Sequence, residues 1–221
     1  MTGCAFFEKG ECIETMKEHV TRGLELIDRL YLQRNYGSLI GRIVGVTPEE
    51  AETLLRKAYV LHDAGKCLEF FQKRKSKFPF HEFYSGVIAM EVLKKFGEAG
   101  RVASVAIMLH HHDWVRSKTP KKPPDLKLEE TCRHLLEELS GESIPGEMNW
   151  VEPVRFQSNV KGILQKNLRG VYAFLLPITV ADNYAAACNR GGKGSLLGRE
   201  IFETLSVRGW EVARCLSGGI R

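Results

Sequence analysis

Residues 51–66 read AETLLRKAYVLHDAGK, and this is the most informative stretch of the chain. Its apolar residues recur at helical spacing, so Leu55 and Ala58 share one helix face, which ends at His62. Asp63 follows directly, at the inner end of a packed helix, where burying an unpaired carboxylate would be too costly. The sequence therefore predicts that Asp63 is paired with a cation or bound to a metal.

Further histidines and one late aspartate follow in the order that a two-metal hydrolytic site would need. The candidate metal ligands are His19, His62, Asp63, His81, His110, His111 and Asp182. Imidazole and carboxylate ligands suit Mn, Fe, Co, Ni or Zn, and carboxylates with water also suit Mg. A carboxylate flanked by histidines can bridge two ions about 3.5–4 Å apart through its two oxygens. For each histidine taken alone, a structural role in the core or an exposed position remains the alternative.

Asp182 stands out because its surroundings are apolar. It is the only acidic or basic residue between Gly170 and Asn189. Phe174 and Ile178 lie on the same side of the predicted helix, so we expect the carboxylate to face the core. A helix N-cap or a single buried salt bridge is the alternative to metal binding at this position.

Length and composition favour a single domain over residues 1–221, with 43% hydrophobic and 27% charged residues. The N-terminus shows no apolar stretch behind a basic start, which argues against a secretory signal. The longest apolar run, residues 171–181, is shorter than the roughly 20 residues that span a bilayer. We therefore expect a cytoplasmic protein without a membrane partner. The net charge of +5 weakly favours an anionic partner.

The six cysteines form no C-x-x-C pair and show no spacing typical of secreted domains. We therefore expect reduced thiols in a cytoplasm, most of them buried as small hydrophobic side chains.

Helical periodicity dominates the chain, and no segment shows sustained alternation of polar and apolar residues. One helix is predicted to begin at Thr47-Pro48, where Glu50 completes a capping pattern. The fold class is predicted to be all-α, a single helical bundle with little or no β structure. The other predicted helices cover residues 12–32, 81–96, 98–112, 126–140, 153–168, 170–189 and 195–216.

Together, the seven candidate ligands resemble the HD superfamily of metal-dependent phosphohydrolases, and more narrowly the stand-alone HD nuclease of CRISPR type I interference. The spacing His62-Asp63-x-Gly65-Lys66 and the later Ser85 fit that resemblance. It implies a first ion held by residues matching His19, His62, Asp63 and Asp182. It implies a second ion held by residues matching Asp63, His81, His110 and His111. Lys66 would lie beside the phosphate, so Asp63 and Lys66 are the predicted catalytic residues, whereas His112 and His134 are left outside the site.

The resemblance implies a nuclease that hydrolyses phosphodiester bonds of single-stranded DNA by a two-metal-activated water, with RNA as a further candidate substrate. Two divalent ions drawn from Mg, Mn, Co, Ni or Fe would be the cofactors. Such ions lower the pKa of a bound water and neutralise charge on the phosphate oxygens. No phosphate-binding loop of the P-loop type is present. An ATP-dependent helicase would therefore be a separate partner, together with the CRISPR RNA-guided surveillance complex.

Two basic stretches are predicted to bind the nucleic acid, because cations track phosphates while aromatic rings stack bases. The first contributes Phe71, Lys73, Arg74, Lys75 and Lys77, and the second contributes Trp114, Arg116 and Lys118. The alternative for the first stretch is a basic surface loop whose phenylalanines only anchor it in the core.

Other functions remain open at this point. The runner-up is a phosphohydrolase or phosphodiesterase of the same superfamily that acts on a small nucleotide. Simple mononucleotidases of this superfamily need fewer of these histidines, so His81, His110 and His111 argue against that class. Cyclic-dinucleotide phosphodiesterases carry a Gly-Tyr-Pro signature after the double histidine. Here the chain continues from His111 as His-Asp-Trp-Val-Arg, which argues against that class too. A di-iron oxygenase on similar ligands and a non-catalytic binding module are the remaining alternatives.

Overall fold

The computed structural model describes residues 3–111, 119–191 and 195–208. Within these ranges the chain is a bundle of α-helices preceded by one small hairpin. The helices are α1 (Met16–Leu30), α2 (Tyr36–Val44), α3 (Pro48–Leu61), α4 (Glu69–Arg74), α5 (His81–Val92), α6 (Gly97–Leu109), α7 (Glu130–Ser140), α8 (Pro153–Lys166), α9 (Leu168–Asn189) and α10 (Leu196–Val207). Short 3-10 turns cover Leu32–Arg34, Ala64–Cys67 and Lys94–Phe96. The predicted all-α class with minor β structure is therefore confirmed.

Strands β1 (Cys4–Glu8) and β2 (Glu11–Thr15) form the antiparallel hairpin. The sequence-based helix over residues 12–32 was wrong at its start, because residues 11–15 pair with β1. Helix α1 begins only after Thr15, whose side chain accepts a hydrogen bond from the Glu18 backbone N–H. Glu18 in turn accepts from the Thr15 backbone, so this capping box fixes the junction between strand and helix.

Helix α3 begins as predicted, with Thr47 as N-cap and a capping box to Glu50. Periodicity did not predict the short helices α2 and α4, which have nine and six residues. The core forms where α1 packs on α9, α5 on α6, and α6 on α9. Helix α9 is buried along the predicted face, including Phe174 and Ile178. The described residues share this core, and a single domain over the whole chain stays a prediction.

One apolar helical stretch, Pro153–Asn189, is long enough by composition to cross a membrane. Its most apolar window is 67% buried inside the fold, however, and a core helix passes the same test. This stretch is therefore weak evidence for a membrane span.

The expectation of reduced thiols was wrong for the five cysteines among the described residues. The structure pairs Cys4 with Cys12 and Cys67 with Cys132, and Cys188 is disulfide-bonded as well. The first disulfide closes the hairpin between β1 and β2. The second connects the turn Ala64–Cys67 to α7. Lack of a C-x-x-C motif could not exclude these pairs, since both join residues that only the fold brings together.

The turn after His62-Asp63 packs directly on α5, and this packing requires a glycine. A Cβ atom on Gly65 would lie 2.3 Å from the His81 carbonyl oxygen and 2.9 Å from the Ser85 backbone nitrogen. The Gly65 backbone N–H also donates to Ser85 Oγ at 2.8 Å. Gly65, between His62 and Lys66 in the sequence pattern, and the later Ser85 therefore belong to the same contact, between this turn and α5.

We expect Gly65→Ala to destabilise the fold, because the added methyl group meets backbone atoms that cannot rotate away. Overpacking of this kind costs about 1–3 kcal/mol, and each kcal/mol lowers the melting temperature by about 2–4 °C in a chain of this size. Gly146→Ala is the matched control, since a Cβ atom there meets nothing within 4 Å. Thermal unfolding of both variants measures the difference. Equal melting temperatures would contradict the proposed close contact.

Candidate metal centre

All seven predicted ligands converge at one place, although they come from five separate parts of the fold. His19 lies on α1, and His62 with Asp63 follows the end of α3. His81 begins α5, His110 and His111 follow α6, and Asp182 lies on α9. Residues far apart in the sequence therefore meet, because the ends of several helices and the middle of α9 contribute side chains to the same cavity.

The first group of potential ligand atoms comprises His19, His62, Asp63 and Asp182, all within 4.8 Å of one another. The Nε2 atom of His19 lies 3.3 Å from Nε2 of His62 and 3.2 Å from Asp182 Oδ1. It is also 3.4 Å from Asp63 Oδ2. These distances suit four ligands around one ion.

The second group comprises Asp63, His81, His110 and His111, again within 4.8 Å of one another. Asp63 Oδ1 lies 3.1 Å from His81 Nε2 and 3.8 Å from His110 Nε2. The two carboxylate oxygens of Asp63 thus face different groups, Oδ2 the first and Oδ1 the second. Only Asp63 belongs to both groups, so its placement fits the bridging role expected from the sequence.

Backbone carbonyls fix the orientation of three of the imidazole rings. The Nδ1 atoms of His62, His81 and His110 lie 2.5, 2.8 and 2.6 Å from the carbonyl oxygens three residues earlier. A carbonyl can only accept, so Nδ1 carries the proton and the lone pair of Nε2 points into the cavity. Metal-binding histidines commonly use this arrangement.

Three atoms of the second group lack hydrogen-bond partners among the described residues, although they are buried. They are Asp63 Oδ1, His81 Nε2 and His110 Nε2. Buried polar atoms are almost always paired, and these three acceptors face one another. A cation between them would satisfy all three, so the residues present fit a divalent metal ion.

Charges in the cavity also suit metal binding. Burial raises the pKa of Asp63, but the nearby Lys66, His62 and His81 together outweigh this effect and hold the pKa well below its usual value. The pKa of Asp182 is likewise lowered despite burial, chiefly by its hydrogen bond with His19. Burial lowers the pKa of His110 and takes that of His111 to about 4. Ionised carboxylates and neutral imidazoles are the forms that bind metals.

His19 differs, because carboxylates surround it. Burial alone would lower its pKa, but the charge of Glu14 and the hydrogen bond with Asp182 raise it to about 10. Burial likewise opposes ionisation of Glu14, yet the charge of His19 lowers the Glu14 pKa to about 2. This part of the cavity therefore favours positive charge, which a divalent ion on His19 Nε2 would supply in place of the proton.

Comparison with known proteins agrees with this geometry. The HD domain profile matches residues 18–142, which is more than half of the chain. The chain belongs to the HD domain family. The match begins just before His19 and ends before Asp182, so it covers six of the seven candidate ligands.

Two curated relatives carry the name CRISPR-associated endonuclease Cas3-HD. The relative from Thermoproteus tenax is 27% identical over 115 residues, covering 52% of this chain and 47% of that protein. The relative from Pyrococcus furiosus is 30% identical over 111 residues, covering 44% of this chain and 46% of that protein. The chain therefore spans about half the length of the curated relatives it matches.

A solved structure supports the same fold. The CRISPR-associated Cas3 HD domain protein from Methanocaldococcus jannaschii aligns with a TM-score of 0.51 and 18% identity, covering 80% of this chain and 100% of that one. At this identity the likeness concerns the fold alone. With the family match, it confirms the helical HD fold and the resemblance to Cas3-type HD proteins that the sequence predicted.

Lys66 lies at the edge of the two ligand groups. Its Nζ atom donates to Asp63 Oδ2 at 2.6 Å and lies 5.7 Å from the centre of the Phe78 ring. Both residues line a cleft of about 350 Å³, together with His81, His111 and Asp182. An ammonium at this edge can contact an anionic group that enters the cleft.

The predicted nucleic-acid residues divide into three sets. Lys73, Arg74, Lys75 and Lys77 are exposed, and Lys77 also lines the cleft, while Lys73 pairs with Glu69. Phe71 was a wrong prediction for base stacking, because it is only 1% exposed and packs against Phe78 and Tyr84. Trp114, Arg116 and Lys118 lie outside the described residues, as does His112.

Three residues next to the first ligand group, Glu14, Asn189 and Arg190, were not among the predicted site residues. Glu14 lies 2.8 Å from His19 Nδ1, and its other contacts are Asn189 and Arg190. No motif marks Glu14, since it lies in a short strand that periodicity did not reveal. His134, by contrast, is exposed and pairs with Glu137, in agreement with its exclusion from the site.

We expect His110→Ala to lower divalent-metal affinity at least about tenfold, because losing even an outer-shell partner of a ligand costs about 10–100-fold. His134→Ala is the control, since this side chain is 57% exposed and belongs to neither group. Isothermal titration with Mn²⁺ measures both variants. Equal affinities in the two variants would mean that His110 is not a ligand.

Proposed function

We propose that this HD-family chain is a metal-dependent nuclease that hydrolyses phosphodiester bonds of single-stranded DNA in CRISPR-based antiviral defence. The observation that carries the proposal is the division of the two Asp63 oxygens between two ligand groups. Two ions about 3.5–4 Å apart can stabilise both the attacking and the leaving oxygen of a phosphodiester. A site built around one bridging carboxylate suits that reaction class.

The protein residues have distinct roles in this proposal. His19, His62 and Asp182 would hold one ion with Asp63, while His81, His110 and His111 would hold the other. The bound ions would supply an activated water near neutral pH and neutralise charge on the phosphate. Asp63 orients both halves of the centre, and the Lys66 ammonium would contact a phosphate oxygen in the cleft. His111 is the most exposed ligand, with a side chain 33% exposed, and therefore lies on the side that a substrate reaches first.

Support for a polymeric substrate comes from the exposed cations beside the cleft. Lys77 lines the cleft itself, and Lys73, Arg74 and Lys75 are exposed and lie two to four residues before it in the chain. A strand whose scissile phosphate lies in the cleft could therefore place neighbouring phosphates on these side chains. RNA ends are a further candidate substrate, because phosphate contacts do not distinguish the sugars.

A small-nucleotide phosphohydrolase is the second candidate. The cleft of about 350 Å³ lies within the range of about 300–1,000 Å³ that is usual for small-molecule sites. A mononucleotide or dinucleotide would fill it without reaching the exposed cations. The two candidates therefore differ in whether binding depends on residues outside the cleft.

The names of the two curated relatives, both CRISPR-associated endonuclease Cas3-HD, support a role with CRISPR partners. We propose that this chain acts with a separate ATP-dependent helicase and with the CRISPR RNA-guided surveillance complex. We also propose a cytoplasmic location. Disulfides such as Cys4–Cys12 and Cys67–Cys132 are rare in cytoplasmic proteins, with the intracellular proteins of hyperthermophiles as the exception.

We expect Asp63→Asn to reduce cleavage of single-stranded DNA at least about 100-fold. The amide keeps the shape but loses the charge, and charge stabilisation by a metal centre contributes several kcal/mol to the rate. Asp28→Asn is the matched control, since the Asp28 side chain is 44% exposed, pairs with Arg56 and belongs to neither ligand group. Turnover with Mg, Mn, Co and Ni measures both variants. Wild-type turnover by Asp63→Asn with any of these metals would remove Asp63 from the catalytic centre.

Replacing Lys73, Arg74, Lys75 and Lys77 by alanine should weaken single-strand binding and flatten its dependence on salt. Each lost phosphate contact changes the slope of log affinity against log salt by about 0.7, so two lost contacts are measurable. The control variant replaces four exposed cations of α8 and α9, namely Arg155, Lys161, Lys166 and Arg169. Fluorescence titration of a labelled strand at several salt concentrations compares the two. The small-nucleotide alternative predicts identical slopes.

A further inference from the structure

Glu14 is a buried carboxylate that lies outside both ligand groups but contacts one of the ligands. It lies on β2 and is 0% exposed. Its Oε1 atom accepts from His19 Nδ1 at 2.8 Å and from Asn189 Nδ2 at 2.8 Å. Its Oε2 atom accepts from Arg190 Nε at 2.8 Å and from Nη2 of the same guanidinium at 2.7 Å. Both oxygens are thus fully used by fixed donors.

The contact with Glu14 determines which way the His19 ring faces. Because the carboxylate accepts from Nδ1, the proton of the neutral ring lies on Nδ1 and the Nε2 lone pair faces Asp63 and Asp182. A carboxylate partner also makes the imidazole a stronger metal ligand than a carbonyl partner would. His62, His81 and His110 use carbonyls, whose removal no side-chain substitution can achieve. The His19 partner is a side chain and is therefore open to substitution.

We propose that Glu14 is a positioning residue of the metal centre, which holds the His19 ring for the ion of the first group and sets the affinity of that ion. The inference rests on the proposed two-metal centre and adds the N-terminal hairpin to it. Glu14 acts through His19 and contacts neither the ion nor the substrate.

The neighbouring contacts explain how a short hairpin can hold Glu14 in place. Arg190, at the end of α9, pairs with Glu14 and stacks on the Phe6 ring of β1, with the guanidinium 3.9 Å from the ring centre. The Cys4–Cys12 disulfide joins the two strands beside this stack. Glu14 is therefore fixed between the hairpin, α1 and the end of α9. A carboxylate that is held from three sides can fix the orientation of its histidine partner.

Glu14→Ala should lower the affinity for one of two Mn²⁺ ions about 10–100-fold, the usual effect of losing an outer-shell partner, and leave the other within about twofold. Glu14→Gln should lose less, because its amide oxygen can still accept from His19 while its negative charge is gone. Isothermal titration gives the two affinities. Electron paramagnetic resonance gives a second readout, since two neighbouring Mn²⁺ ions are magnetically coupled and a single ion is not. At concentrations that fill both sites in the wild type, Glu14→Ala should show the uncoupled spectrum.

Glu142→Gln is the matched control for a merely structural role. The Glu142 side chain is 9% exposed, and it pairs with Lys57 and Lys95 at 2.7 Å each, outside both ligand groups. This variant should lose stability but bind both ions as the wild type does. If Glu14→Ala does not fold, the titration of Glu14→Gln decides.

Wild-type binding of both ions by the Glu14 variants would overturn the inference. So would losses that affect both ions equally and match those of Glu142→Gln, because the effect would then be one of stability alone. If the wild-type protein binds two ions and the Glu14 variants bind both with the same affinities, only the role of Glu14 is refuted. A wild-type protein that binds fewer than two ions refutes the proposed centre and this inference together.

Discussion

The constraint on which the site depends is the burial of the Asp63 carboxylate. Asp63 is 0% exposed and meets imidazole nitrogens on both sides, and among the described residues Lys66 is the amine that pairs with it. Burying a carboxylate is unfavourable unless positive charge and hydrogen bonds compensate for it. Lys66 binds one oxygen, whereas Oδ1 has no hydrogen-bond partner among the described residues. Oδ1 therefore needs further positive charge, which a metal ion could supply and the ion pair with Lys66 does not.

The fold meets this constraint by bringing helix ends together. The rings of His62, His81 and His110 each pair with a carbonyl three residues earlier, which leaves their Nε2 atoms facing the same cavity. Gly65 lets the turn after Asp63 approach α5 closely enough for His81 to reach the carboxylate. The same elements that bury the core thus also orient the ligands. Stability and ligand geometry are therefore coupled, and packing changes near Gly65 should affect both.

The sequence predicted the family, the helical class and most of the long helices, because helical periodicity is a strong signal. It also singled out seven potential ligands that the structure brings together, because buried charged residues within apolar helices are rare. It could not predict contacts that depend on tertiary structure. Glu14 lies in a five-residue strand without clear periodicity, and two of its three side-chain partners, Asn189 and Arg190, are 175 and 176 residues away in the sequence. The partner of Cys67 is 65 residues away. The burial of Phe71 could not be predicted either, since a phenylalanine among lysines can face either the core or the solvent. In the structure it faces the core.

Location of the bound metal ions is the most direct test of the central claim. Crystals of the wild-type protein grown with Mn²⁺ should show two anomalous peaks about 3.5–4 Å apart, with one Asp63 oxygen on each ion. His19, His62 and Asp182 should surround one peak, and His81, His110 and His111 the other. A single peak, or two peaks that do not share Asp63, would contradict the account.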